Sequence, residues 1–337
     1  MCKSANLLSF LFGLYHIFSC NKFYKKKGEI KMKDFYPEGT LISDEENKKY
    51  FSSESSLLQA QMLEKILEAN VVMCDAQHNL IVDIGCMRGV IMREDGAIGI
   101  KEGATRDIAL ISRVGRSVCF VIKGFDIDSH GRKYAILSRR EAQEKCLDYF
   151  LSNKQIGDII DARVTHLESF GAFCDIGCGN IALLPIDAIS VSRISHPKDR
   201  FVVGDKIKAI VKNIDSDNKI TLSHKELLGS WEENVARFSQ GETVSGVVRS
   251  VEEYGVFVEL APNLAGLAEP KDNVLVGQTV SVYIKSIIPE KMKIKLIIID
   301  NFDTEYDMAY NYFYEGERID EFVYSPSTCS KQISTRF

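Results

Sequence analysis

Val203-Gly204-Asp205-Lys206-Ile207-Lys208-Ala209-Ile210-Val211-Lys212 is the stretch that decides the fold. After a Val-Gly turn, apolar residues recur at every second position, and Val and Ile dominate. That is the pattern of a half-buried β-strand. The pattern occurs twice more, as Val114-Gly115-Arg116-Ser117-Val118-Cys119-Phe120-Val121-Ile122-Lys123 and as Val276-Gly277-Gln278-Thr279-Val280-Ser281-Val282-Tyr283-Ile284-Lys285. Self-similarity of this kind marks a repeat architecture.

Working outward, a second block precedes each strand: Val82-Asp83-Ile84-Gly85, Cys174-Asp175-Ile176-Gly177 and Val258-Glu259-Leu260. A third follows: Ala135-Ile136-Leu137-Ser138-Arg139-Arg140, Ile220-Thr221-Leu222-Ser223-His224-Lys225 and Ile294-Lys295-Leu296. Turn residues stand before it at 126–131, 215–218 and 289–292. Each unit therefore holds about five short strands with no helical crossover, the signature of a small Greek-key barrel of the OB type. The fold expected is mainly β: three tandem five-stranded OB barrels with short helical connectors. The divisions are an N-terminal lead and helix (32–70), a degenerate barrel (71–145), a second barrel (154–226), a helical linker (227–240), a third barrel (241–300) and an acidic, aromatic tail (301–337). Helices are expected over 57–69, with Leu58, Met62, Leu63, Ile66 and Leu67 on one face, and over 225–238, with Trp231, Val235 and Phe238 facing a barrel.

Composition sets the outer bounds. Of 337 residues, 45% are hydrophobic and 26% charged, as in globular domains. No apolar run reaches the length a membrane-spanning helix needs. Nine cysteines lack framework spacing, which indicates reduced thiols and a cytoplasmic location. Cys174 and Cys178 have no second pair with ligand spacing, so no metal and no cofactor is expected. Leu7 to Phe18 is an apolar run followed by Cys20, the form of a secretory or lipoprotein signal. A second reading is preferred: 26–33 back-translates to a purine-rich ribosome-binding sequence before an ATG. Met32 is then the start and 1–31 a translated leader. Those 31 residues hold six Lys and one Glu, so the net charge of −5 becomes −10 without them. An acidic total is unusual for a nucleic-acid binder, but the local field over a face matters more. Much of the acid lies at 300–321, with eight acidic residues against one Arg.

The second and third units share a further feature, Glu168-Ser169-Phe170-Gly171-Ala172-Phe173 and Glu253-Tyr254-Gly255-Val256-Phe257. Two aromatics three apart break period two, so they cannot both lie on one face of a simple strand. A bulge at Gly171 is expected to bring both outward as a platform for unpaired bases. The competing reading places one aromatic of each pair in the core. No phosphate loop, metal helix or nucleophile elbow is present, and no catalytic role is expected.

These strings, with Gly171-Ala172-Phe173-Cys174-Asp175-Ile176-Gly177 foremost, resemble the S-one RNA-binding domain over about 64–300. The linker Leu228-Gly229-Ser230-Trp231-Glu232-Glu233-Asn234 and the run from Val251 to Pro262 look especially like the short S-one homologues of low-GC Gram-positive bacteria. The resemblance implies single-stranded RNA or mRNA as partner, in translation. It implies two aromatics, a His after the third strand, and an Asp and Arg at the last turn as contacts. Carried onto this chain, those are Phe170, Phe173, Asp215 and Lys219 in the second unit, and Tyr254, Phe257, Lys293 and Lys295 in the third. The His position falls on Pro185 and on Glu269, and Glu269 would repel phosphate. The first unit has His78 and Ile81 in place of the aromatics, which suggests either protein docking, for instance to the small ribosomal subunit, or a spacer barrel. Two further readings stay open: a non-catalytic regulator of an RNA-degrading enzyme, and a protein scaffold with vestigial RNA sites.

Overall fold

A computed structural model describes residues 35–302 and 310–337. The readings of 1–31 and of Met32 as the start lie outside the described residues. Seventeen strands are described. Barrel one consists of β1 (Leu67–Cys74), β2 (Leu80–Asp83), β3 (Arg88–Ile91), β4 (Ser117–Ile127) and β5 (Lys133–Ser138). Barrel two consists of β6 (Ile159–Glu168), β7 (Gly171–Asp175), β8 (Ile181–Pro185), β9 (Lys206–Ile214) and β10 (Ile220–Ser223). Barrel three consists of β11 (Thr243–Glu252), β12 (Gly255–Ala261), β13 (Leu264–Ala268), β14 (Thr279–Ile288) and β15 (Lys293–Phe302). A short hairpin, β16 (Glu321–Val323) and β17 (Ser334–Arg336), lies in the tail.

All three barrels close in one order, first strand to second, third, fifth and fourth, with the third and fifth parallel. This is the expected Greek-key OB barrel. The repeated Val-Gly stretch is the fourth strand of each copy, and its alternating Ile207, Ala209 and Val211 fill the core of barrel two. Among the described residues no helix is long and apolar enough to cross a membrane.

The helices depart from the sequence reading. The first ends at Met62, and Leu67 already belongs to β1, so β1 crosses the division drawn at residue 70. Leu57 and Ala60 are its buried residues, whereas Leu58, Met62 and Leu63 face outward. Glu64 is the reason the helix stops: its backbone is left-handed (φ 51°), a conformation that ends a helix. The connector over 225–238 is a 3-10 turn, Lys225–Leu228, then a short helix, Trp231–Val235, begun by a Ser230–Glu233 capping box. Trp231 is buried in the core of barrel three as expected. The block ending at Arg140 is only partly strand. It switches at Ser138, whose hydroxyl caps the helix Arg139–Asn153 by accepting from the Glu141 amide at 3.1 Å. Phe150 of that helix enters the core of barrel two, which ties barrel one to it.

The barrels meet through buried charge. Glu38, in the N-terminal lead, receives Arg139 at 2.7 and 2.9 Å, and its amide donates to Asp175 at 2.7 Å. Burial, then the neighbouring Glu38, pushes the Asp175 carboxyl up to about 7. Between barrels two and three, Arg200 reaches Glu259, which also accepts from Arg249 at 2.6 Å. The tail returns to both barrels. Tyr310 and Tyr312 close around His224 of barrel two, and Tyr324 packs in the core of barrel three.

His224 is fully enclosed. Its Nδ1 lies 3.3 Å from the Ile189 carbonyl, which can only accept, so Nδ1 carries the hydrogen and Nε2 accepts from the Tyr312 hydroxyl at 3.3 Å. Burial lowers its pKa to about 4. The unfolded chain takes up the proton near the ordinary imidazole value of about 6.5. Stability contributed by neutral His224 is thus complete above that value and falls as pH drops from there towards 4, by roughly 3 kcal/mol. Asp175 slopes the opposite way, since its raised value favours the native state in acid. Chemical denaturation of wild type and His224→Gln across this range isolates the histidine. The stability difference between them is expected to shrink on acidification; a difference independent of pH would contradict this account.

Candidate nucleic-acid interface

Cross-strand register builds the site, because directly paired residues point to the same face of a sheet. In barrel two one row crosses four strands: His166 opposite Phe173, Phe173 opposite Leu183, Leu183 opposite Thr221. In barrel three the same row reads Ser250, Phe257, Leu267 and Lys295. In barrel one it reads Met73, Ile81, Val90 and Ile136. The flanking residues of β7, Ala172 and Cys174, are fully buried, so the row lies on the outer face.

Phe173 and Phe257 are half-buried on that face, and Phe170 and Tyr254 are 54% and 66% exposed. None of the four fills a core. The bulge expected at Gly171 is absent, and the ladder slips instead on β6, between Val164 and His166. The spacing of three is resolved differently: Phe170 stands in the hairpin turn before β7 begins, where the period of the strand does not apply. Gly171 is needed for another reason. A Cβ there would come 2.6 Å from the Leu184 carbonyl oxygen, and at Gly255 a Cβ would strike that of Ala268.

The rings of each pair stand nearly perpendicular, Phe170 to Phe173 at 5.9 Å and 87°, Tyr254 to Phe257 at 6.2 Å and 88°. The pair is therefore not one flat platform. Two bases stacked on it must be splayed apart, a geometry open to a single strand and closed to a helix.

The polar candidates separate into two groups. Lys219, Lys293 and Lys295 are exposed, and each lies on or two residues from the row. Lys219 also meets Asp217 at 3.2 Å, an exposed pair of little strength. Asp215 does something else: one carboxylate oxygen accepts from the amides of Asp217 (2.9 Å) and Lys219 (2.8 Å), which fixes the turn that presents Lys219. In barrel three, Glu269 is met by Lys285 at 3.0 Å, which offsets the repulsion expected from it. Two other cations of barrel two are taken up elsewhere. Arg200 is buried against Glu259, and Arg163 donates to the Glu38 and Gly204 carbonyls. Barrel one carries His78 in the turn at φ 62°, 3.4 Å from Asp107, and no aromatic pair at these positions. Sequence reasoning missed His166 as a member of the row. The slip on β6 hides its register from any periodicity count.

Residues 153–225 match the family model of the S1 (S-one) RNA binding domain. The small ribosomal subunit protein bS1 of Staphylococcus aureus (strain COL) is 30% identical over 251 residues, which cover 69% of this chain and 61% of that protein. The bS1 of Staphylococcus saprophyticus is 32% identical over 180 residues, 48% of this chain and 46% of that protein. The chain thus spans about three fifths or less of the length of these relatives. A solved multidomain protein with nucleic acid binding domains from Streptococcus pneumoniae aligns over 70% of this chain and 74% of its own, at 13% identity and a TM-score of 0.23. The fold assignment rests on strand order rather than on that alignment. Barrel two, flanked by two barrels of the same topology, is thus similar to the S1 RNA binding domain family over residues 153–225.

Proposed function

We propose that this protein binds single-stranded RNA, and mRNA in translation, through the outer faces of barrels two and three. The observation that carries the reading is the exposure of Phe170 and Tyr254 beside half-buried Phe173 and Phe257, in the same register on two barrels. Large aromatics left outside a core lose burial energy, and stacked bases supply the missing contact. Lys219, Lys293 and Lys295 meet the phosphates between those bases. Tandem linkage then raises the effective concentration of the second site. Barrel one lacks the aromatic pair and takes a docking role on the small ribosomal subunit. Similarity to bS1 supports that assignment.

Filter binding of single-stranded RNA at two salt concentrations tests the reading. Affinity is expected to fall as salt rises. Lys293→Ala with Lys295→Ala should reduce the slope of log affinity against log salt by about 1.4, two phosphates at about 0.7 each. A flat salt dependence would contradict phosphate contact by these residues. Cosedimentation with small ribosomal subunits, retained when excess single-stranded RNA occupies barrels two and three, separates docking from RNA capture. Loss of cosedimentation in excess RNA would contradict docking through barrel one.

A further inference from the structure

We infer that His166 is a third base-stacking ring in barrel two, so that this barrel takes a run of three unpaired bases where barrel three takes two. The inference rests on the RNA-binding reading above and adds to it a residue and a difference between barrels.

The imidazole of His166 lies 6.3 Å from the Phe173 ring and only 25° from its plane, the one near-parallel contact in the row. Phe170 meets the same Phe173 ring edge-on. His166, Phe173 and Phe170 therefore form one connected group of three rings, with Phe173 in contact with both others. Two thirds of the His166 side chain is exposed (63%), so a flat face remains open to a ligand. Its ring also has a hydrogen-bond partner. Nε2 lies 2.7 Å from a Glu168 carboxylate oxygen, two residues along the same strand. A carboxylate at neutral pH only accepts, so Nε2 carries a hydrogen and the hydrogen bond holds the ring plane. The ring thus has two neighbours in the structure, the near-parallel Phe173 ring and the Glu168 carboxylate.

The position is specific to barrel two. The residue in the same register is Ser250 in barrel three and Met73 in barrel one. Pro185, where the resemblance places a histidine, lies on β8, whereas His166 lies on β6, across β7 from it. Barrel two thus presents an imidazole beside Phe173 from the opposite neighbouring strand. Stacking needs a flat π face rather than mere apolar volume, and that sets the test.

Fluorescence anisotropy of a labelled single-stranded oligoadenylate is measured with the full chain and four variants. His166→Ala and His166→Leu are expected to weaken binding about fivefold or more, the lower end for one stacked base. His166→Phe, which keeps a flat ring, is expected to bind within about twofold of wild type, inside the range of one lost contact. Phe170→Ala with Phe173→Ala serves as the reference for loss of the barrel-two site. If His166→Leu binds as wild type does, or His166→Phe is as weak as His166→Leu, while the reference variant loses affinity, the His166 inference falls and RNA binding stands. If wild type itself fails to bind, both fall.

Discussion

Phe170→Ala combined with Phe173→Ala is expected to weaken binding of single-stranded RNA by about tenfold or more. Each stacked base contributes roughly 1–3 kcal/mol, and 1.4 kcal/mol is a factor of ten. The loss stops short of the full sum because Tyr254 and Phe257 of barrel three still hold the strand. Adding Tyr254→Ala and Phe257→Ala is then expected to remove most of what remains, leaving only salt-sensitive phosphate contact. Folding is not expected to suffer. Phe170 stands in a turn and Phe173 lies on the outer face, while the barrel-two core is built from Ala172, Cys174, Leu184 and their neighbours. Thermal unfolding checks this independently, with an unchanged midpoint expected. A folded double variant with wild-type affinity would remove barrel two from the site.

Glu259→Ala is expected to cost about 3–5 kcal/mol of stability, the range for leaving a buried charge unpaired. Glu259 is fully buried and holds Arg200 of barrel two and Arg249 of barrel three at once. Arg200 is itself enclosed, and its pKa is lowered chiefly by that burial, so the charged form is already disfavoured before the carboxylate is removed. Asp199 meets Arg249 at 3.5 Å and also favours the charge on Arg200, but more weakly than Glu259 does. Denaturant titration would show the loss as a lower midpoint. Replacing Arg200, Arg249 and Glu259 together by apolar residues of similar volume is expected to recover most of it, because no charge is then stranded. A midpoint unchanged in Glu259→Ala would mean that the barrels are not joined through this cluster.

Barrel topology was legible in the sequence because the decisive strand occurs three times, each copy with its own Val-Gly turn. The aromatic pairs were legible for the same reason, since a spacing of three within a strand block demands an explanation. The explanation offered was wrong in its location: periodicity cannot separate a bulge in β7 from a turn residue ahead of it. The helix Arg139–Asn153 was missed although its signal was present, Ser138 followed three residues later by Glu141. A strand run ending in the same serine masked it. The seams were out of reach. Glu38 and Arg139 lie 101 residues apart, and Arg200 and Glu259 lie 59 apart. Nothing in a charge pattern says which distant partner a buried Arg will find. The tail, 301–337, read as acidic and aromatic, and the packing of Tyr310 on His224 and the hydrogen bond from the Trp231 amide to the Tyr324 carbonyl followed only from the fold.

Ultraviolet zero-length crosslinking of the full chain to single-stranded RNA, with the adducts mapped by mass spectrometry, tests the central claim most directly. Adducts are expected on Phe170 or Phe173 and on Tyr254 or Phe257, because crosslinks form where a base lies against a ring. Adducts confined to barrel one or the tail, with none on these four side chains, would contradict it.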